Sequence, residues 1–194
     1  MFNDISSPAA LMATRRSGKP RDMGAPGPDA AQLDRILAAA TRVPDHGKLF
    51  PWRFVVVPTA QRAALAALLH RAADVEPAEG RAPNREAIDE FAYQAPALVV
   101  VLSCPIVPSH ISLWEQQLSA GAACMNLLVA AHAEGLVGGW LTGWASYSRT
   151  VLEAFGGTGP EDRIAGFIFL GSPARLLSER PRPERAQVVS VWEG

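Results

Sequence analysis

The sequence has few cysteines, and they form no pattern that would build a metal centre or a disulfide framework. Only Cys104 and Cys124 occur in 194 residues, each in an apolar run where a thiol most often packs in the core. The four histidines, at positions 46, 70, 110 and 132, have no zinc-ligand spacing among themselves or with the cysteines. We therefore expect no metal, and the missing disulfide pattern favours a reduced, cytoplasmic compartment.

An excess of charge of one sign and a long hydrophobic run are also missing. The net charge is −1 and the isoelectric point about 6.4, so no basic field would attract nucleic acid or an anionic membrane. The longest apolar stretch, 118–131, contains Asn126 and is shorter than the ~20 residues that span a bilayer. No lysine or arginine precedes Arg15, so no secretory signal is predicted. We expect neither a nucleic-acid nor a membrane partner.

Three common catalytic or nucleotide-binding motifs are absent. There is no G-x-S-x-G, so a hydrolase nucleophile elbow is not supported. No P-loop and no G-x-G-x-x-G opens a helix after a strand. A function must therefore be sought in less familiar combinations of residues.

The residues that are present predict one domain, 1–194, with a full core, since 48% of them are hydrophobic. Apolar periodicity predicts helices at 8–14, 29–43, 59–72, 86–93, 111–133 and 148–155. Predicted strands are 53–57, 97–103, 136–143, 164–171 and a strand-like tail, 186–192. Segments 18–28 and 74–85 are rich in Gly, Pro or charge and are predicted loops. Because strands and helices alternate, the fold is either α/β or α+β.

Three segments carry possible chemistry. "TRRSGK" (14–19) offers guanidinium forks and a hydroxyl for a phosphate, or is simply a solvated basic helix end. "RVPDHGKLFPWRF" (42–54) is stiffened by two prolines and Trp52 around His46, although a loop histidine is more often only a surface residue. "GGWLTG" (138–143) could present backbone N–H groups, or be a glycine-tolerant bend beside the core. Together they indicate a ligand with a phosphate and an electron-poor planar ring.

These segments, with "WEQQLSAGAACMNLLVAAHAEGLVGGWLTG" and "FLGSPAR", are similar in order and spacing to the FMN-dependent nitroreductase family. The resemblance covers about residues 10–175 and is greatest to a compact bacterial subgroup with Pro-Asp-His in the second motif. It implies an α+β, nitroreductase-like fold: a central, mostly antiparallel sheet flanked by helices. It also implies a homodimer with two FMN sites at the subunit interface.

The resemblance implies a role for each matched position. Arg15, Arg16 and Ser17 would hold the phosphate and ribityl chain, and Lys19 would lie near the flavin N1/O2 edge. The partner subunit would contribute Arg42 and His46. The strand segment would approach the flavin with its backbone at Trp140, Leu141, Thr142 and Gly143. Arg175 would lie at the phosphate side.

The implied activity is reduction of a small acceptor, such as a nitroaromatic or a quinone, by NADH or NADPH with ping-pong kinetics. Flavin N5 would carry the chemistry, so no catalytic side chain is expected. Two alternatives stay open: a non-catalytic FMN-binding protein of the same fold, and an interaction protein without flavin.

Two positions depart from the family pattern. Phe50 stands where family members commonly have glutamine, and Leu141 where the closest relatives carry arginine. We expect a polar contact to be lost at the first position and phosphate recognition to differ at the second. The segment 74–90 is where substrate specificity is expected to vary.

Overall fold

A computed structural model describes residues 2–76 and 84–194 of the chain. The helices are α1 (Pro8–Thr14), α2 (Ala30–Ala40), α3 (Arg62–Val75), α4 (Arg85–Tyr93), α5 (Leu113–Ala133), α6 (Trp144–Tyr147), α7 (Arg149–Ala154) and α8 (Arg185–Val188). The strands are β1 (Met23–Gly24), β2 (Trp52–Val57), β3 (Ala97–Ser103), β4 (Val137–Leu141) and β5 (Arg163–Pro173). None of these helices is long and apolar enough to cross a bilayer.

The sheet is built around its longest strand, β5. β5 pairs with β3, β4 and β1, and β2 pairs with β3, and all of these pairs are antiparallel. Residues 167–170 pair with both β3 and β4, so these two strands occupy opposite edges of β5. The expectation of an α+β fold with a mostly antiparallel sheet and flanking helices is confirmed.

Helices cover both faces of the sheet, which explains why β3 is a continuous apolar run. Leu98, Val100 and Leu102 face a cluster formed with α3, α4 and α7, while Val99 and Val101 face α2 and α5. All five side chains are buried. Alternate residues of a strand point to opposite faces, so a strand covered on both sides needs apolar residues throughout.

Helix α5 begins with Ser112, whose hydroxyl accepts the backbone N–H of Glu115, and its small residues let α2 pack closely. Helix α2 begins with the predicted Asp29 capping box, in which Asp29 and Gln32 bond reciprocally. Helix α5 in turn packs against β4, and its His132 contacts the segment before β1.

The structure corrects three details of the sequence prediction. The tail 186–192 forms α8 and an exposed irregular end instead of a strand, because a lone extended segment needs a sheet edge and this one pairs with none among the described residues. The predicted loop 18–28 contains the short strand β1. The predicted helix 148–155 is preceded by the separate turn α6. Residues 77–83 of the predicted loop 74–85 lie outside the described residues.

Candidate functional site

The segment after α1 runs against the glycine-rich strand β4. The helix ends at Thr14, and Gly18 then donates its N–H to the carbonyl of Gly138, with an N–O distance of 3.1 Å. A Cβ on Gly139 would lie 2.6 Å from the carbonyl oxygen of Gly18, which is too close for any side chain. A Cβ on Gly18 would be 2.5 Å from Val137. The two glycines therefore allow backbone to pack directly on backbone.

His132 on α5 holds the same segment from beneath. Its Nε2 is 3.0 Å from the carbonyl oxygen of Arg16, and its Nδ1 is 2.5 Å from that of Leu128. The side chain is fully buried. Burial lowers the pKa of His132 below its ordinary value, although the two carbonyl acceptors act in the opposite direction. Sequence reasoning considered His132 only as a metal ligand; its place in the apolar run "LLVAAHA" was the signal that it had a buried polar partner.

Two adjoining cavities lie along this segment. The first, about 430 Å³, has β4 on one side and the inner face of α4 on the other. The second, about 260 Å³, is lined by basic residues of the segment and of the chain after β5. Ser17, Gly18 and Lys19 line both. The site is therefore a groove with a largely apolar end and an arginine-rich end, joined by three consecutive residues.

The structure brings most of the predicted residues together in this groove. The second cavity is lined by Arg15, Arg16 and Arg175 in addition to the three shared residues. Trp140 and Leu141 line the first cavity, and the indole N–H of Trp140 donates to the carbonyl of Ala165. Seven predicted residues thus line the groove: Arg15, Arg16, Ser17, Lys19, Trp140, Leu141 and Arg175.

Four predicted residues line neither cavity. Thr142 and Gly143 follow the end of β4, and Gly143 begins α6 with a φ of 146°. Arg42 follows α2, where its carbonyl accepts a hydrogen bond from the side-chain amide of Asn126. His46 is on the loop between α2 and β2. A single chain therefore does not bring Arg42 and His46 into its own groove.

The loop with His46 is held in a fixed shape by its own side chains. The carboxylate of Asp45 accepts the backbone N–H groups of Leu49 and Phe50, at 3.1 and 2.9 Å. Gly47 and Phe50 have φ angles of 77° and 50°, so the chain turns through the left-handed region there. The loop is a preformed structure with an exposed Phe50 side chain.

Two residues of α5, Ser119 and Glu115, fix this loop to the helix. The hydroxyl of Ser119 donates to the carbonyl of Pro44 at 2.7 Å and accepts the indole N–H of Trp52 at 3.2 Å. His46 Nδ1 lies 2.7 Å from a carboxylate oxygen of Glu115. Hydrogen bonding to His46 is the largest cause that lowers the pKa of Glu115. His46 is thereby held on the surface of the helix with most of its side chain exposed.

The arginine-rich end carries unneutralised positive charge. The side chain of Arg15 donates to the hydroxyl of Ser17 at 3.1 Å. Its pKa is lowered first by burial and then by the nearby positive charges of Arg182 and Arg16. Arg175 lies 3.5 Å from a carboxylate oxygen of Asp22. Such a concentration of guanidinium groups is suited to an oxyanion, and a phosphate above all.

Sequence reasoning missed part of the wall of the first cavity. Arg21 comes from the turn before β1, and Gln94 directly follows α4. Helix α4 itself contributes Ala87, Glu90 and Phe91. Ala87 and Glu90 fall within the segment, 74–90, that was expected to vary with substrate. These residues are far apart in sequence, and only the packing of α4 over the sheet brings them to the groove.

No thiolate nucleophile or metal centre accompanies the groove. Burial raises the pKa of Cys124 to about 12 and that of Cys104 to about 11, so both thiols are protonated near neutral pH. Residues 2–76 and 84–194 contain no group of three or more His, Cys, Asp or Glu side chains placed to hold a metal ion. What the groove offers is shape and fixed positive charge.

The comparisons with known proteins agree with this geometry. The model of the Nitroreductase family matches residues 12–172. In Escherichia coli K12, a protein named "Putative NAD(P)H nitroreductase YdjA" is 34% identical over 163 residues, which are 84% of this chain and 86% of the relative. The chain belongs to the nitroreductase family.

Solved structures show the same fold. A nitroreductase-like family protein from Bacillus cereus superposes with a TM-score of 0.81 at 23% identity, covering 100% of this chain and 98% of that one. A nitroreductase with bound FMN from Bacteroides fragilis gives a TM-score of 0.67 at 22% identity, covering 94% and 96%. The fold predicted from the resemblance is confirmed.

The buried His132 predicts how stability depends on pH. As the pH falls from 7 to 5, the unfolded chain protonates this histidine near its ordinary pKa of 6.5, whereas the folded protein resists the proton. The free energy of unfolding should therefore fall across this range. In His132→Gln, the amide can still donate to the carbonyl of Arg16. The decrease in unfolding free energy that His132 causes should therefore be absent in this variant. Urea denaturation at a series of pH values, at one protein concentration, measures it.

The same substitution at the exposed His110 is the control and should leave the pH dependence unchanged. If the free energy of unfolding depends on pH equally in the wild type and in His132→Gln, the buried ring does not resist protonation.

Proposed function

We propose that the protein is an FMN-dependent oxidoreductase that takes electrons from NADH or NADPH and reduces electron-poor small molecules such as nitroaromatics and quinones. The observation that carries the proposal is the single segment 15–19, which joins an arginine-rich cavity to a cavity beside β4. The name of the E. coli relative, an NAD(P)H nitroreductase, and the FMN bound in the B. fragilis neighbour support it.

The residues of the groove fit FMN. A phosphate dianion suits the arginine-rich end, where Arg15, Arg16 and Arg175 supply guanidinium forks and Ser17 a hydroxyl. A flat ring suits the first cavity, which lies between β4 and α4. The shared residues 17–19 would lie along the ribityl chain between the two ends.

When bound, FMN supplies the redox chemistry at N5, and the protein supplies binding, orientation and electrostatics. The ionisable side chains that line the first cavity are Lys19, Arg21 and Glu90. Lys19 would hold positive charge beside the N1/O2 edge, where reduction leaves negative charge. One open cavity would receive donor and acceptor in turn, so we expect ping-pong kinetics.

We infer that each site is completed by the partner in a homodimer. Arg42 and His46 line neither cavity of their own chain, yet their loop is fixed rigidly on α5. Trp114 and Leu118, on the same helix, are 68% and 52% exposed. Large apolar side chains beside a rigid loop are typical of a subunit contact, and such a contact would carry His46 toward the partner's groove.

The two departures from the family pattern have physical consequences. Leu141 lines the first cavity and packs against the core, so this position offers no donor to a phosphate. The ring of Phe50 meets Trp52 edge-on, with 6.0 Å between centroids, and is 56% exposed. We expect nicotinamide phosphates to be recognised elsewhere than at position 141. Phe50 would make an apolar contact where a glutamine would make a polar one.

Anaerobic reduction tests the proposal directly. Excess NADPH or NADH should bleach the flavin absorption of the purified protein rapidly, and a quinone or nitroaromatic should restore it. Stopped-flow absorbance measures both steps. A flavin band that persists after both nicotinamides are added would favour the non-catalytic FMN-binding protein, and a colourless preparation that takes up no FMN would favour an interaction protein.

Substitution of Lys19 tests the electrostatic role. Lys19→Met should lower the flavin midpoint potential by tens of millivolts, because a charged hydrogen bond contributes about 1.5–3 kcal/mol, or roughly 30–65 mV for a two-electron couple. Lys19→Arg keeps the charge and should restore most of the potential. A redox titration against reference dyes measures the change, and an unaltered potential in Lys19→Met would remove Lys19 from this role.

A mixed dimer tests the shared site. Subunits with Lys19→Met and subunits with His46→Ala, carrying different tags, can be refolded together and the heterodimer purified. If His46 serves the partner's groove, one of the two sites in the heterodimer is wild type and the other carries both changes. The heterodimer should then recover about half of wild-type activity even where each parental homodimer is impaired. Activity equal to the mean of the two parents, or an FMN-loaded monomer by light scattering, would exclude shared sites.

A further inference from the structure

Arg62, the first residue of α3, is the most deeply buried arginine in the described part of the chain, with 3% of its surface exposed. Among residues 2–76 and 84–194, no carboxylate oxygen lies within 4.0 Å of its guanidinium group. Burial lowers the pKa of Arg62, yet a guanidinium stays protonated near neutral pH. A buried cation without a carboxylate is costly, so other groups must take the place of its water.

The groups that replace this water are the last carbonyls of α4. One Nη of Arg62 donates to the carbonyl of Ala92 at 2.9 Å, and the other donates to the carbonyl of Ala95 at 3.4 Å. Ala95 has a φ of 56°, so the chain turns through the left-handed region just after α4. The final carbonyls of a helix have no partner within the helix and carry partial negative charge. Arg62 therefore holds the end of α4 and the turn that follows it.

The same guanidinium group lies over the ring of Phe169, with 5.8 Å between its Cζ and the ring centroid. Phe169 is fully buried, and Phe91 of α4 meets it edge-on, with 5.4 Å between centroids. Phe91 meets Phe167 in the same way at 5.1 Å. Phe91 also lines the first cavity. A continuous set of contacts thus runs from Arg62 to the wall of the groove.

The first half of α4 is held more weakly. Its polar contacts with α3 are the ion pairs Arg85–Asp74, at 3.1 Å, and His70–Asp89, at 2.8 Å. Both aspartates and the arginine are more than half exposed, so water and salt screen these pairs. The end of α4 that faces the groove therefore depends on the buried contacts of Arg62.

We propose that Arg62 is a positioning residue of the reaction site, which holds Phe91 and Gln94 at a fixed distance from β4. The proposal rests on the proposed function, in which a planar flavin and a planar acceptor share the first cavity. Arg62 itself does not line this cavity. The distance between α4 and β4 decides how closely the ring of the acceptor is enclosed, so Arg62 selects acceptors by their width.

The shape of arginine suits this role, and not its charge alone. Its two Nη groups reach two carbonyls at once, whereas lysine offers a single compact ammonium. The Nε of Arg62 is buried and has no hydrogen-bond partner among the described residues, so the contact is not the most stable one possible. An apolar side chain of similar length removes the cost of burying the charge. Arg62→Met should therefore remain folded, and Arg62→Lys should keep part of the contact.

The test compares acceptors of different width on FMN-saturated protein. The kcat/KM values of a benzoquinone and of the wider naphthoquinone are measured with saturating NADH or NADPH for the wild type, Arg62→Met and Arg62→Lys. Arg71→Met is the matched control, since it makes the same change at an exposed residue of α3 that lines neither cavity of the groove.

In Arg62→Met, the ratio of kcat/KM for naphthoquinone to that for benzoquinone should rise by about tenfold. The reason is that a loosened wall loses its contact with the narrower ring, and one apolar contact in a pocket discriminates by about 10–200-fold. Arg62→Lys should show a smaller rise, of about threefold, and Arg71→Met should match the wild type. A purely structural role would lower activity with both quinones equally. A ratio within twofold of the wild type in Arg62→Met, or in Arg62→Lys should Arg62→Met not fold, would overturn the proposal.

Amide hydrogen exchange separates failure of this role from failure of the proposed function. In flavin-free Arg62→Met, exchange in residues 90–95 should be roughly tenfold faster than in the wild type, because the charged hydrogen bonds that close this end of α4 are lost. Arg71→Met should exchange like the wild type. Faster exchange in a protein that binds no flavin would support the hold of Arg62 on α4 and overturn the proposed function. Equal exchange at 90–95 in Arg62→Met and the wild type would overturn the positioning role.

Discussion

The hydrogen bond between Gly18 and Gly138 is the contact on which the candidate groove depends. It fixes the segment after α1 against β4, at a separation that only glycine permits on the facing strand. The two cavities adjoin along this segment, which lines both. His132 supports the pairing from the core side by contacting the carbonyl of Arg16, so α5, β4 and the arginine segment act as one unit.

Much of the fold could be predicted from sequence because its signals are local. The apolar run 97–103 predicted a strand covered on both faces, and Asp29 with Gln32 predicted the start of α2. The tail 186–192 could not be placed in this way, since its apolar alternation indicates a strand only where a sheet edge is available. Within the described part of this chain it pairs with none, and it is exposed instead.

The candidate site was predictable where it lies on one segment and not where it is assembled from several. Two segments could be recognised as motifs in the sequence: Arg15 to Lys19, and Trp140 to Leu141. Tertiary packing alone brings Phe91 of α4 and the following Gln94 to the groove, and likewise Arg180 and Arg182 after β5. No local spacing connects such residues, and a basic tail is on its own more often a solvated surface than a ligand site.

The visible spectrum of the protein as purified, together with its extracted flavin, tests directly whether the groove holds FMN. We expect a yellow protein whose released cofactor is FMN. When FMN is added to flavin-free protein, its absorption spectrum should change as it binds. We further expect that Gly139→Ala, whose new Cβ would collide with the carbonyl of Gly18, releases the flavin. A protein that binds no FMN, or one in which Gly139→Ala binds it as tightly as the wild type, would contradict the account.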